Sequence, residues 1–415
     1  MPEYRRNHYV PEWYQRRFLS NGAKERKFCY LDLTPDSIAS GKMKYKRNAM
    51  FRWGPRRCFC EQDLYTTKFG NWESTEIEEK FFGKIDSAGS HAVEYWSSFR
   101  HPSVDPESFQ NLLLYMSIQK LRTPKGLEYL AHLVNLSDRN TVLFKLQELQ
   151  QLFCALWTEC IWSVVDASRS RVKFLLSDHP VTVYNRGCFP LSKWCRGYRD
   201  PDIWLNGTHT LFPLALEKML ILTNLSWVRN PYQNPLKARP NPNLFRPAMF
   251  NFMQIQTGRF LPEVEVSEIN YVIKRRAHRY IAASEEAWLY PEESISTQWW
   301  DKLGNGYLFM PDPRSVSFST ELIIGHKDSR RADSSDEYGR KPWQPDYGDK
   351  QRREFEWVTF QAFQGEFARL FGPKRRGRAF EGATLDSEED DQEFHAYHLG
   401  LEGKFKAMLA KLKQR

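Results

Sequence analysis

The stretch "DPESFQNLLLYMSIQKLRTP", residues 105–124, constrains this chain more than any other. Phe109, Leu112, Leu113, Leu114, Met116, Ile118 and Leu121 recur so closely that they surround most of a helical cylinder. A helix apolar all round is a buried helix. Asp105 is placed to cap it, Pro106 occupies its first position, and Thr123-Pro124 ends it. One line of polar residues interrupts the apolar surface: Tyr115, Gln119 and Arg122, at i, i+4 and i+7. A guanidinium buried without a partner costs roughly 3–5 kcal/mol. Arg122 therefore predicts an acid or an anion beside it, either as a plain structural ion pair or as part of a site.

The rest of the pattern predicts what surrounds that helix. "PEWYQRRFL" (11–19) reads as a short helix with Pro11 in its first turn, and "KFCYLDL" (27–33) as a strand. Residues 34–60 read as basic loop. Ile77, Phe81, Ile85, Ala88, Ala92, Trp96 and Phe99 form one stripe of a helix from Thr75 to Phe99, with Glu79 and Asp86, seven apart, on the opposite face. A third helix is predicted over 138–156. After residue 160 the period changes to that of strands, in "IWSVVDA", "VKFLLSDHPVTVY" and "THTLFPLALEKMLILTN". The Pro/Asn-rich segment 230–247 reads as loop, and helices return over 248–257 and 266–284.

With 415 residues, 41% apolar and 27% charged, the chain is globular and exceeds one small core. The predicted class is α+β: N-terminal helices packed on a mostly antiparallel central sheet, followed by a helical extension. Two regions are expected, 1–290 and 291–415. The second has an irregular linker (325–353), a helix (353–371), a basic run (373–378), an acidic run (386–393) and a terminal basic amphipathic helix (401–415).

The net charge of +9 is carried by residues 1–60, which hold 14 Lys/Arg against 5 Asp/Glu. Seven Cys without a C-x-x-C argue against a disulfide framework or a zinc finger and for a reducing cytoplasm. No apolar run approaches the roughly 20 residues of a membrane span, so no membrane role is expected.

Polar chemistry gathers at a few places. In "RNHYVPEWYQRRFLS" (6–20), His8 precedes a helix start, where free N–H groups collect. With Arg5, Arg6, Arg16 and Arg17 this reads as an anion-binding corner, or as a staple in which Tyr14 and Phe18 pin the N-terminus and the arginines are solvated. "FLLSDHPV" sets Ser177, Asp178 and His179 at a strand end. Asp178 is a candidate partner for Arg122 or the acceptor of a local turn, and His179 a proton carrier or a hydrogen-bonding fixture. "EQDLYT" alternates Glu61 and Asp63 ahead of Tyr65, a spacing that aims two carboxylates one way. With Asp178 they form a candidate set for a divalent metal. Glu79 and Asp86 join only if their helix turns its polar face inward.

The pieces "NHYVPEWYQRRF" (7–18), "EQDLYT" (61–66), "EEKFFGKID" (78–86), "SIQKLRTP" (117–124), "LLSDHPV" (175–181), "LFPLALEKML" (211–220) and "EINYVIKRRAHRYIAA" (268–283) resemble, in order, the domain of unknown function 4238 family. The resemblance runs over about residues 5–290. It implies no reaction or cofactor. It does mark His8, Pro11, Tyr14, Phe18, Asp63, Tyr65, Gln119, Arg122, Thr123, Ser177, Asp178 and Pro180. It usually has Glu where this chain has Asp86, which weakens a ligand role there.

Three functions are consistent with these residues. The first is a hydrolase- or nuclease-like enzyme acting on a phosphodiester or a nucleotide. In it His8, Asp63, Arg122, Asp178 and His179 are catalytic, acids hold a metal, and Tyr14, Tyr65, Tyr115, Gln119 and Ser177 support them. It expects Asp178→Asn to leave melting nearly unchanged. The second is a non-catalytic module binding nucleic acid or an acidic partner through the basic aromatic N-terminus. The third is a scaffold whose Arg–acid network is structural. No P-loop, H-E-x-x-H, G-x-S-x-G or Rossmann fingerprint occurs.

Overall fold

A computed structural model describes residues 5–20, 26–40, 43–99, 105–136, 138–239, 255–316, 318, 322–325, 327–328, 331–336, 340–345, 347–373, 378–379 and 388–414. The helices of its first half are α1 (Glu12–Arg16), α2 (Gly83–Ser97), α3 (Pro106–Leu121), α4 (Pro124–Leu133), α5 (Arg139–Glu148) and α6 (Cys154–Thr158). They are followed by α7 (Leu225–Arg229), α8 (Glu263–Arg276), α9 (Lys350–Phe371) and α10 (Glu388–Lys413).

The largest sheet has six strands in the order Thr182–Asn185, Thr208–Ala215, Lys218–Asn224, Cys160–Asp166, Gln256–Phe260, Arg378–Ala379. Every pairing in it is antiparallel except that of Gln256–Phe260 with Cys160–Asp166. A second, wholly antiparallel sheet orders Leu176–Ser177, Tyr280–Ala283, Phe28–Asp32 and Met50–Trp53. The class is α+β, with helices over a mostly antiparallel sheet.

The apolar helix α3 runs through the main core. Leu112, Met116, Ile118 and Leu121 are fully buried there, beside Trp96 of α2 and Trp162, Phe212 and Leu222 of the six-stranded sheet. Each such side chain contributes about 1.5–3 kcal/mol by leaving water. The Asp105 carboxylate accepts the Ser108 N–H at 2.7 Å, and so caps α3 as the sequence predicts. Helix α2 lies close against α3 because Gly89 has no side chain: a Cβ there would sit 2.5 Å from the Tyr115 ring.

Thr123-Pro124 ends α3 and, unforeseen in the sequence reading, begins another helix. The Thr123 hydroxyl accepts the Gly126 N–H at 3.1 Å, and Pro124 takes the first position of α4. A Cβ on Gly126 would lie 2.1 Å from the Lys120 carbonyl oxygen, so only glycine permits so tight a corner.

Other boundaries also move. The helix read from Thr75 opens with a wider π-helical turn, Ile77–Phe82, before α2. The helix read over 138–156 is two, α5 and α6. The basic loop read over 34–60 contains the strands Ser37–Ser40, Met43–Lys46 and Met50–Trp53. The helix read over 266–284 stops at Arg276, and Tyr280–Ala283 joins the second sheet. Of the helix read over 248–257, residues 248–254 lie outside the described residues, and Gln256–Phe260 is a strand. The linker read over 325–353 follows a strand, Leu322–Gly325, that pairs with Arg331–Ser335. Residues 374–377 of the basic run and 386–387 of the acidic run lie outside the described residues.

Segments beyond 290 share cores with segments before it. Phe360, Phe363 and Phe367 of α9 pack with Ile161 and Trp227, and Trp300, Leu303 and Phe309 pack with Tyr184, Leu211 and Ile221. No described helix is long and apolar enough to cross a membrane.

Candidate functional site

The junction of α3 and α4 buries five polar side chains within seven residues: Gln119, Lys120, Arg122, Thr123 and Lys125. Helical rotation sends Gln119 and Arg122 to one flank and Lys120 and Thr123 to the other.

On the first flank Arg122 is 1% exposed. Its Nε and Nη2 both donate to Gln119 Oε1, at 2.7 and 2.5 Å, and Nη2 lies 2.9 Å from Asp86 Oδ1. The guanidinium lies 5.4 and 5.6 Å from the Phe82 and Tyr115 ring centroids. Gln119 Nε2 donates to Tyr9 O at 2.8 Å, and the Tyr65 hydroxyl donates to Arg122 O at 2.7 Å. The partner of Arg122 is thus Asp86, not Asp178. The α2 face that carries Asp86 turns toward α3, and a short, close pair forms where the two helices touch.

The π-helical turn explains which second acid joins. It inserts one residue, so Glu78, eight before Asp86, takes the rotational place that Glu79 would hold on a regular helix. Glu79 is exposed and accepts from the Thr75 hydroxyl. Glu78 points inward, and its Oε2 has no hydrogen-bond partner. Burial pushes the Glu78 carboxyl up to about 7, with Arg122 opposing. Burial likewise raises the Asp86 carboxyl against the pull of Arg122.

On the second flank a narrow cleft with about 20 Å³ of free space, the room of roughly one water, opens over Lys120, Lys125, Tyr129, Phe153, His179, Asp200 and Asp202. Lys125 Nζ donates to Asp200 Oδ1 at 2.7 Å and to Arg276 O at 2.8 Å. Lys120 Nζ lies 3.4 Å from Asp200 Oδ2 and 3.3 Å from His179 Nε2, which is itself 3.3 Å from Asp200 Oδ2. His179 Nδ1 is 2.7 Å from Thr123 Oγ1. Burial, reinforced by Lys120, lowers the imidazole to about 3, so His179 is neutral at neutral pH. Burial alone would raise the Asp200 carboxyl, yet Lys125 and Lys120 hold it well below the usual range. Burial also pulls the Lys120 ammonium below the usual lysine range; Asp200 opposes this and Lys125 adds to it. A neutral imidazole, two cations and an acid therefore meet at one opening.

The remaining residues singled out in the sequence do not converge on either flank. Asp178 is a clasp: its carboxylate accepts the backbone N–H groups of His278, Arg279 and Tyr280 at 2.8, 2.6 and 2.7 Å. Ser177 Oγ accepts the His179 N–H at 3.2 Å. His8 sits on a strand, Arg6–His8, that pairs with Cys60–Gln62, and its Nε2 lies 3.3 Å from Arg56 O and 3.8 Å from Glu12.

The anion-binding corner is largely occupied by the chain's own acids. Arg5 binds Asp63 and Glu73, Arg16 binds Glu12, and Arg17 binds Glu94, Ser97 and Leu214 O. Arg6 donates to Cys60 Sγ. The staple holds instead: Tyr14 stacks on Phe212 with centroids 5.5 Å apart and donates its hydroxyl to Pro213 O.

The metal set does not assemble. Glu61 is exposed on its strand, Asp63 is held by Arg5, and Asp178 by backbone. Among the described residues no group of three or more His, Cys, Asp or Glu is arranged to hold an ion.

Lys120, Lys125, Asp200 and Glu78 escaped the sequence reading. One signal was present: Lys120 falls between Ile118 and Leu121 on a helix whose apolar residues surround most of its circumference, so its charge, once buried, needed a partner. Nothing in "GYRDPD" distinguishes Asp200 from a surface acid.

Residues 6–152 match the model of a family described as "Protein of unknown function (DUF4238)". That span includes Glu78, Asp86, Lys120, Arg122, Thr123 and Lys125, and stops short of His179 and Asp200. No curated protein and no solved structure matches the chain.

Proposed function

We propose that this chain is a hydrolase-like enzyme whose cleft at Lys120, Lys125, His179 and Asp200 takes a phosphate-bearing small substrate, of the nucleotide or phosphodiester class. The observation that carries this reading is the charge balance of a buried opening. Lys120 and Lys125 both lean on the one carboxylate of Asp200, so two ammonium groups share a single close anion where water is largely displaced. Such an excess is relieved by an anion. Lys125 keeps one ammonium N–H beyond its two bonds, and phosphate is a strong acceptor. His179, neutral and bonded at both ring nitrogens, orients Lys120 and places a polar ring edge beside the bound group.

The free space inside is about that of one water, so the substrate's phosphate engages the lysines at the mouth of the cleft. Binding of nucleic acid or an acidic partner through the N-terminal arginines draws less support, because Arg5, Arg16 and Arg17 already face carboxylates.

The test is a titration of inorganic phosphate and of nucleoside mono- and diphosphates into the full chain at low salt, read by calorimetry and by melting temperature. A labelled-nucleotide hydrolysis assay runs alongside. The expected result is saturable phosphate binding that Lys125→Met weakens at least about tenfold. Absence of any saturable binding of these anions would sink the reading.

A further inference from the structure

The segment that follows the strand Thr182–Asn185 reads "RGCFPLSKWCRGYR", residues 186–199. It holds four Lys or Arg, three aromatic rings and no Asp or Glu. At the N-terminus Arg5, Arg16 and Arg17 each face one of the chain's own carboxylates. Lys193, Arg196 and Arg199 do not. They are exposed, and none of them has a carboxylate in ion-pair reach among the described residues. Cations gathered without counter-charges form a positive patch that draws an anion from solution.

The patch is shaped by its own backbone. Successive turns close through Cys188 N–H to Asn185 O at 2.9 Å, Ser192 N–H to Phe189 O at 2.9 Å, Cys195 N–H to Ser192 O at 3.0 Å and Arg199 N–H to Arg196 O at 3.1 Å. Gly197, at φ +60°, permits the last of these. The buried Arg276 guanidinium ties the segment to α8 by donating to Cys188 O at 2.7 Å. Rings and cations alternate on this frame. Phe189 and Leu191 are exposed, and Trp194 and Tyr198 are half-buried. Lys193 Nζ lies 5.3 Å from the Trp194 ring centroid, and the Arg199 guanidinium 5.9 Å from that of Tyr198. The segment leads to the cleft: Tyr198 lines its wall together with Asp200 and Lys125.

Cations interleaved with accessible rings suit an unpaired nucleic-acid strand, because the charges follow the phosphates while bases stack on the rings. A duplex hides the faces of its bases. A lipid surface would engage Phe189 and Leu191, but it could not follow the segment to Tyr198 in the cleft wall. We propose that residues 189–199 dock single-stranded nucleic acid and present one of its phosphates to Lys120 and Lys125 at the mouth of the cleft. The proposal rests on the phosphate reading given above and specifies the phosphodiester as one in an unpaired strand.

Fluorescence anisotropy on the full chain tests it. Labelled DNA and RNA of about 12 nucleotides, single-stranded and duplex, are titrated across a salt series. Vesicles of phosphatidylcholine and phosphatidylserine form a separate arm. The expected result is saturable binding of the single strand, tighter than that of the duplex and weakened by salt. Lys193→Gln, Arg196→Gln and Arg199→Gln together lower the slope of log affinity against log salt by about 2, three phosphate contacts at roughly 0.7 each. Phe189→Ala weakens binding at least about fivefold with the slope unchanged. These four side chains are exposed, so the melting temperature stays close to that of the parent.

No single-strand binding, a duplex bound as tightly, or a slope unmoved by the triple substitution would overturn the proposal. Vesicle binding in place of strand binding would overturn it too and assign the patch to lipid. Nucleotide binding that Lys125→Met weakens, with no gain from a longer strand, would leave the cleft reading standing and this one fallen. Strand binding through the patch without phosphate binding at Lys125 would sink the cleft and leave the docking surface.

Discussion

Thr123 Oγ1 lies 2.7 Å from His179 Nδ1 while accepting the N–H of Gly126 at 3.1 Å. One hydroxyl thus starts α4 and selects the tautomer of the cleft imidazole. If the hydroxyl donates to Nδ1, Nε2 carries the ring proton toward Asp200; if Nδ1 donates to it, the Nε2 lone pair faces Lys120. The cleft therefore depends on the same cap as the corner between its two supporting helices.

Thr123→Val removes the cap and the ring partner together. The expected loss of stability is about 1–2 kcal/mol by urea unfolding, and the ring ¹⁵N shifts of His179 move. Thr123→Ser keeps both properties close to those of the parent. If Val and Ser behave alike, the hydroxyl has neither role.

Arg122→Ala strands Asp86 and Glu78 and empties the guanidinium's place between Phe82 and Tyr115. A loss of about 3–5 kcal/mol is expected. Arg122→Lys also loses stability, because an ammonium cannot reach both Gln119 Oε1 and Asp86 Oδ1 as the guanidinium does. Chemical denaturation of both variants checks this, and a near-neutral Arg122→Lys contradicts it.

Glu78 gives a pH signature with a definite sign. Its folded carboxyl titrates at about 7, above the ordinary 4.5, so the folded chain binds the proton more tightly than the unfolded one. The stability this provides is complete below 4.5 and is lost as pH rises through 7. Glu78→Gln removes the loss. Relative to the parent, the variant gains stability between pH 5 and 8, by up to roughly 3 kcal/mol and less where water reaches the carboxyl. Melting curves of both proteins across that range decide it; parallel curves would mean that Glu78 is not held inside.

Asp178→Asn is expected to destabilise, against the near-unchanged melting that a purely catalytic acid would show. An amide offers one oxygen where the carboxylate's two oxygens receive three backbone N–H groups. The expected cost is about 1–3 kcal/mol, with faster hydrogen exchange at residues 278–280. Unaltered exchange there would argue against the clasp.

Much of the frame is legible along the chain. The apolar circumference of α3, its Asp105 cap, the switch to strand period at residue 160 and the helix α9 follow from local patterns, because cap geometry and hydrophobic period act between near neighbours. Where the reading slipped, a long-range or backbone effect intervened. Thr123-Pro124 reads equally as a stop and a start, and only the closeness of Gly126 to the Lys120 carbonyl selects the sharp corner. The π-helical turn before α2 exchanges Glu79 for Glu78, which no 3.6-residue period can signal.

By itself the amino-acid order determined that Arg122 is buried in a helix without a wet face and that burial demands an anion beside it. It did not determine which anion, because opposite charges pair through space and their separation along the chain carries no mark. Tertiary packing chose Asp86 for Arg122 and brought Asp200 across 80 residues to Lys120. It also gave Asp178 to three backbone N–H groups, because desolvated charges settle on whichever partners the fold brings within hydrogen-bond reach.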